Sequence, residues 1–313
     1  MTRRATVAVM AVFLSLVALA SLLLGAFLAD PIGLVRVLDE ARLRRSGMHV
    51  ETFRALDGTR LSALVAGPLS AERPVVLLHG LGADALYWTR TMLSLRHEGK
   101  TVLALDAPGS GKSATPASPE GLSLPARVAA VEALSSALRL DRFDLVGHSL
   151  GGATAGLFAL AHPEQVGRLV LVDAAGFTAP SGADLERFLA LTRPRDRHGA
   201  RQLLDLLFFA KPFPARGAVA DALARRFLAP NVQTTIARAG RADVLLGREE
   251  ALPAGTALIW GEKEALFPVA DAETAARKLR GGTLTVVPGA GHDVPIEKPA
   301  EFVRVLLDTL SRS

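Results

Sequence analysis

The apolar residues change their spacing several times along the chain, and each change marks an element. Ala5 to Ala29 contains no charged side chain, and only Thr6, Ser15 and Ser21 are polar. Such a run predicts one helix roughly 37 Å long at about 1.5 Å per residue, longer than a hydrocarbon core of about 30 Å. A helical stripe of Leu34, Val37, Leu38 and Ala41 follows, with Arg36, Glu40 and Arg44 on other faces. It fits an amphipathic linker over residues 30–46, lying on a lipid surface or packed against the main domain. From Gly47 the period shortens: Val50 to Ala55 and Leu61 to Ala66 flank Asp57-Gly58, the pattern of a hairpin.

Short apolar runs then alternate with helical patterns. Pro74–Leu78, Thr101–Leu105, Phe143–Val146, Leu169–Val172, Thr256–Trp260 and Thr283–Val287 read as buried strands. Trp88–Arg96, Pro125–Leu138, Leu150–Ala161, Val269–Leu279 and Pro299–Leu310 read as the helices between and after them. This alternation predicts a mostly parallel sheet covered on both faces. Between about 177 and 250 the strands stop. Asp184–Leu191, Ala200–Phe209 and Ala218–Leu228, punctuated by Pro194, Pro212, Pro214 and Pro230, predict a helical insertion.

Composition narrows the picture. Half of the 313 residues are hydrophobic, enough for one large domain with an insertion. The 36 Lys and Arg against 31 Asp and Glu give a net charge of only +5, and no basic run interleaves with aromatics, so nucleic acid is not an expected partner. Without cysteine the chain forms no disulfide and has neither a catalytic thiol nor a thiolate metal site. No group of histidines and carboxylates has metal-ligand spacing, and neither metal nor cofactor is expected.

Arg3 and Arg4 ahead of the apolar run resemble the start of a signal sequence. The run is too long for a cleaved signal, and Ala18-Leu19-Ala20, its only good cleavage site, is followed by nine more uncharged residues. Residues 1–29 are therefore expected to be an uncleaved transmembrane anchor. The short basic N-terminus favours N-inside insertion with a periplasmic catalytic domain, against the opposing count of Arg36, Arg42, Arg44 and Arg45 beyond the span.

The chemistry centres on Gly147-His148-Ser149-Leu150-Gly151, a G-x-S-x-G pattern between a predicted strand and a predicted helix. A serine on that turn is expected to have strained torsions, glycine neighbours and a helix N-terminus aimed at it. The loop Asp106 to Ser113 ends in Gly-Lys-Ser, but a phosphate-binding loop needs glycine where Asp106 stands.

Five stretches in order carry a resemblance: His79-Gly80-Leu81-Gly82, Asp106-Ala107-Pro108-Gly109-Ser110-Gly111-Lys112-Ser113, Gly147 to Gly152, Trp260-Gly261-Glu262-Lys263-Glu264-Ala265-Leu266-Phe267-Pro268, and Pro288-Gly289-Ala290-Gly291-His292. On these the chain from Gly47 onward resembles the α/β-hydrolase superfamily, particularly its lipase and esterase-like members with a helical cap. The resemblance implies an eight-stranded, mostly parallel sheet over residues 47–313 with the cap at about 177–250. It implies Ser149 as nucleophile, His292 as base, and an oxyanion hole from the backbone N–H groups of Leu150 and Leu81.

Serine needs a base within hydrogen-bond reach, and the base needs an acceptor to hold its tautomer. Related sequences usually carry aspartate at the position of Glu264, so Glu264 is expected as the acid, with Asp173 and Glu262 as alternatives. His79 and His148 are expected to pack or hydrogen-bond beside the site. The resulting expectation is a serine hydrolase acting on carboxylic esters, with Leu203, Leu204, Leu206, Leu207, Phe208, Phe209 and Phe213 suggesting a lipophilic substrate. A carbon–carbon bond hydrolase of the same fold and a non-catalytic scaffold are the alternatives.

Overall fold

The computed structural model describes residues 3–69, 73–178, 189–238 and 245–311. Helix α1 (Arg3–Ala29) carries the uncharged run, and its window Val12–Ala29 has no buried residue. It stops at Asp30, whose carboxylate accepts the N–H of Gly33 at 3.1 Å, with Pro31 opening α2 (Pro31–Arg45). The stripe read from the sequence turns outward on α2: Val37 and Leu38 are exposed, as is Val35. The opposite side faces the domain. Leu43 is 1% exposed within one core cluster, so α2 is a part of the domain rather than a detached linker.

The hairpin forms from β1 (His49–Arg54) and β2 (Arg60–Ala66), its turn held by Asp57 accepting the N–H of Thr59. The remaining strands are β3 (Val75–Leu78), β4 (Val102–Asp106), β5 (Phe143–His148), β6 (Val166–Val172), β7 (Ala257–Gly261) and β8 (Thr283–Val287). They make one sheet in the order β1-β2-β4-β3-β5-β6-β7-β8, antiparallel at β1–β2–β4 and parallel from β4 onward.

Alternate side chains of each strand enter different cores. Val76, Leu78, Leu103 and Leu105 pack on one face with α4 (Leu124–Ala137), α5 (Leu150–Ala161) and a later helix at Val269–Lys278. Val75, Leu77, Val102 and Ala104 pack on the other with α3 (Thr89–His97), α2 and the last helix, at Pro299–Ser311. This burial on both faces is what the continuous apolar runs required.

Between β6 and β7 lie α6 (Arg197–Leu207), α7 (Arg216–Phe227) and α8 (Pro230–Arg238). The first two coincide with predicted helices. The third starts at a proline read as a break; proline at a first helical position needs no N–H partner and opens the helix instead. The helix expected at Asp184–Leu191 lies mostly outside the described residues. Leu203, Leu204, Leu207 and Phe208 are buried in a cluster with Val219, Ala220 and Phe227, against which Leu81, Leu266 and Ile296 pack. After β7 come α9 (Val269–Lys278), α10 (Val294–Glu297) and α11 (Pro299–Ser311).

Candidate active site

The parallel strands end at one edge, and the candidate residues lie just beyond those ends: Leu81 after β3, Ser149 after β5, Glu264 after β7, His292 after β8. Ser149 has φ 54° and ψ −121°, a conformation costing about 1–3 kcal/mol for a residue with a side chain. Its backbone is pinned on both sides. The N–H donates to Val172 at 3.0 Å, and the carbonyl accepts from Gly152 at 2.9 Å and Ala175 at 3.0 Å. Glycine is required around the turn because a Cβ on Gly147 would stand 2.2 Å from the Gly151 carbonyl oxygen, and one on Gly151 2.3 Å from that of Leu78.

His292 lies between the hydroxyl and a carboxylate. The Ser149 hydroxyl is 2.9 Å from Nε2, and Nδ1 is 2.6 Å from Glu264 Oε2. An Nδ1 proton donated to Glu264 leaves Nε2 as the acceptor for the hydroxyl. Burial works against a charged ring here, but the charge and hydrogen bond of Glu264, with the nearby Asp293 and Glu297, together outweigh it and raise the His292 pKa above the ordinary 6.5. Glu264 is itself held in place, its other oxygen accepting the N–H of Leu266 at 2.5 Å and of Phe267 at 3.3 Å. The Trp260 indole donates to the Phe267 carbonyl at 2.8 Å, tying this loop to β7.

The two alternative carboxylates are placed otherwise. Asp173 is fully buried and accepts the N–H of Gly261 at 2.8 Å, bridging to the neighbouring strand rather than capping its own turn. Burial first, and then the charge of Glu264, push its pKa well above the ordinary carboxylate value, which disfavours a charged Asp173 beside Glu264. Glu262 is exposed and accepts the N–H of Gly289 at 3.0 Å.

Both neighbouring histidines are hydrogen-bonded groups, as expected. His148 Nε2 donates to the His292 carbonyl at 2.8 Å, and burial drives its pKa well below 6.5, so it stays neutral and fixes the loop that carries His292. His79 donates through Nδ1 to the Gly80 carbonyl at 2.7 Å and accepts the N–H of Ala107 at 3.1 Å, its pKa lowered by burial to about 4. The buried Arg127, not singled out in the sequence, donates to the His79 carbonyl at 2.9 Å. The loop carrying Leu81 lies close against the serine: a Cβ on Gly80 would be 3.0 Å from that of Ser149. Among the described residues, neither the Leu81 nor the Leu150 N–H donates to a protein acceptor. Both are free to serve an oxyanion. The Asp106 carboxylate accepts the Lys112 N–H within its own loop and the Ala85 N–H and Ser62 hydroxyl from outside it.

Three carboxyl-bearing residues outside the predicted set support the site. Glu297 accepts the N–H of Gly291 at 2.8 Å through one oxygen and that of Ala210 at 2.5 Å through the other, joining the loop of His292 to the chain after α6. Asp84 closes the Leu81 loop and pairs with Arg36 of α2 and, at 3.2 Å, with Arg226 of α7. Asp293, next to His292, is pushed up to about 7 by burial. The ion-pair partners of Asp84 are 48 or more residues away and the Glu297–Ala210 bond spans 87, so no local pattern announces these contacts.

A hydroxyl, an imidazole and a carboxylate in this order can move a proton from serine to a leaving group. The sheet order, with helices inserted after β6, is the architecture of an α/β-type hydrolase. The chain belongs to the alpha/beta hydrolase family, whose model matches residues 75–305. It is similar to the crystal structure of a membrane phospholipase A described as a bacterial virulence factor, with TM-score 0.76 and 27% identity over 96% of this chain and 97% of that one. It is 30% identical over 255 residues to 2-hydroxymuconate semialdehyde hydrolase of Pseudomonas sp. (strain CF600), covering 77% of this chain and 87% of that protein. It is 23% identical over 302 residues to monoacylglycerol lipase abhd6-A of Xenopus laevis, covering 91% and 89%.

Proposed function

We propose that this protein is a membrane-anchored serine hydrolase cleaving carboxylic esters of lipophilic groups. The observation that carries the reading is the buried relay from Ser149 through His292 to Glu264, with contacts of 2.9 and 2.6 Å. In this reading the Ser149 oxygen attacks the ester carbonyl while His292 Nε2 takes its proton. The oxyanion is held by the N–H groups of Leu81 and Leu150, and collapse expels the alcohol, which receives the proton from His292. Water, deprotonated by the same ring, then attacks the acyl-enzyme and releases the acid.

The lipophilic preference rests on the apolar wall of Leu81, Leu266 and Ile296 beneath the cap cluster, and on the lipid-hydrolysing relatives. Leu203, Leu204, Leu207 and Phe208 pack within the cap, so only part of the predicted apolar set remains to meet substrate. The anchor reading is supported by the span Val12–Ala29, none of it buried, and by the exposed Val35, Val37 and Leu38 of α2, which suit contact with lipid. The periplasmic side rests on the short basic N-terminus alone.

The similarity to 2-hydroxymuconate semialdehyde hydrolase supports a second reading, hydrolysis of a carbon–carbon bond. Labelling by a fluorophosphonate probe, lost in Ser149→Ala, tests the nucleophile; a folded wild-type protein that takes no label is a scaffold instead. Rates on aryl esters from acetate to octanoate, set against a vinylogous diketone acid, separate the two reactions. Activity falling steadily with ester length removes the lipophilic preference.

A further inference from the structure

Outside the active site, a cavity of ≈ 230 Å³ opens between the end of α1 and the α6–α7 pair. Its apolar border is Leu28 and Ala29, the last residues of the uncharged run, and its other walls carry Arg197, Arg201 and Arg225 with a single carboxylate, Asp221. Arg225 donates to the Ala29 carbonyl at 3.2 Å, fixing the cap to the end of the anchor helix. If α1 spans the bilayer, Ala29 marks the edge of the hydrocarbon, and the cavity lies in the headgroup layer.

The guanidinium groups are not saturated by protein. Arg197 is 3.6 Å from Asp221 and Arg225 3.8 Å from Asp30, both ion contacts too long for hydrogen bonds. Among the described residues Arg201 has no carboxylate within 4 Å. Three planar donor forks around one carboxylate leave an excess positive charge suited to a phosphate diester, which accepts paired N–H groups. Gly217 borders the same open space: a Cβ there would meet nothing within 4 Å.

We propose that this cavity binds the phosphate of an anionic phospholipid and so seats the cap on the bilayer surface. The proposal rests on the anchor reading above. The lipid chains would continue past Leu28 along α1, whose apolar side chains are exposed there, while the phosphate meets Arg201 and its neighbours. Inorganic phosphate shares the headgroup chemistry but has no chains for that path, which is the basis for distinguishing them.

The test titrates the full chain, purified in a neutral maltoside detergent, with dioleoylphosphatidylglycerol, dioleoylphosphatidylcholine or inorganic phosphate while Tm is recorded. Phosphatidylglycerol is expected to raise Tm saturably. The half-saturating concentration should rise about tenfold in Arg201→Gln, the loss of one charged hydrogen-bond donor, and less in Arg201→Lys. No response to phosphatidylglycerol, an equal response to phosphatidylcholine, a full response to inorganic phosphate, or an unchanged titration in Arg201→Gln would each overturn the proposal. Failure of the anchor reading is separate: it would show as release of the intact protein from membranes by a high-salt wash, which the detergent titration does not measure.

Discussion

Glu264 and His292 stand 2.6 Å apart on loops that follow different strands, β7 and β8, and those loops are in turn pressed together by the Lys263 N–H on the Ala290 carbonyl. The hydrogen bond therefore depends on backbone contacts made before any side chain is considered. Glu264→Gln keeps the volume but presents an amide to the imidazole, and turnover should fall by about three to four orders of magnitude. Glu264→Asp should retain measurable activity. Steady-state kinetics with circular dichroism as the folding control decide this, and a loss of activity confined to Asp173→Asn would transfer the role to Asp173.

Asp173→Asn is expected to cost little, because a carboxyl group and an amide are alike in shape, the Gly261 N–H keeps its acceptor, and burial beside Glu264 disfavours a charge at this position. The linkage has a definite sign. With its folded pKa raised, Asp173 binds a proton more tightly folded than unfolded, so its contribution to stability declines as pH rises from the ordinary carboxylate range toward the folded value. The Asn variant lacks that decline. Its unfolding midpoint in urea should therefore gain on wild type as pH rises above the ordinary carboxylate range.

The pH profile of kcat/KM should have its acid limb above 6.5, since His292 must be neutral to accept the serine proton and Glu264 raises its pKa. Residual activity of Glu264→Gln should show that limb displaced to lower pH. An unmoved limb would mean that another group titrates.

Glu297→Gln removes one of two acceptors that hold Gly291 and Ala210. A buried N–H left without its partner costs about 1–3 kcal/mol, and the expected result is a lower Tm together with faster proteolytic nicking after α6. Asp84→Asn should have a parallel effect on α2 and α7, because it keeps an acceptor for the Leu86 N–H but loses the charge facing Arg36 and Arg226.

Truncation gives a test of where the domain begins. A fragment starting at Asp30 keeps Leu43 in its core and should be soluble and active. One starting at Gly47 leaves the space of a buried leucine empty, a loss of about 2–5 kcal/mol visible as a lower urea midpoint.

Much of this was legible in the residues, for particular reasons. Strands buried on both faces print as uninterrupted apolar runs, so Leu77 and Val146 announced β3 and β5 before any coordinates. The glycines at 147 and 151 marked the turn because sterics allow nothing larger. Contacts between residues far apart in the chain leave no such mark: the Arg36–Asp84 pair, the Glu297 bridge and the support of His79 by Arg127 are absent from any local pattern. The apolar stripe of α2 was visible, but its direction was not, since Leu43 lies outside the stripe and yet fixes the helix to the sheet.

The crowding around the serine also determines where this chain is able to change. A side chain at 147, 151 or 152 would collide within 2.4 Å of main chain or of Ala174, so random mutation at that corner yields almost only dead variants. On the outer side of α6 and α7, Arg201 and Gly217 border open space, and substitutions are sterically free. A library that diversifies those outer positions should return mostly folded members, and the cap rather than the serine turn is the place from which a laboratory lineage with altered substrate preference would arise.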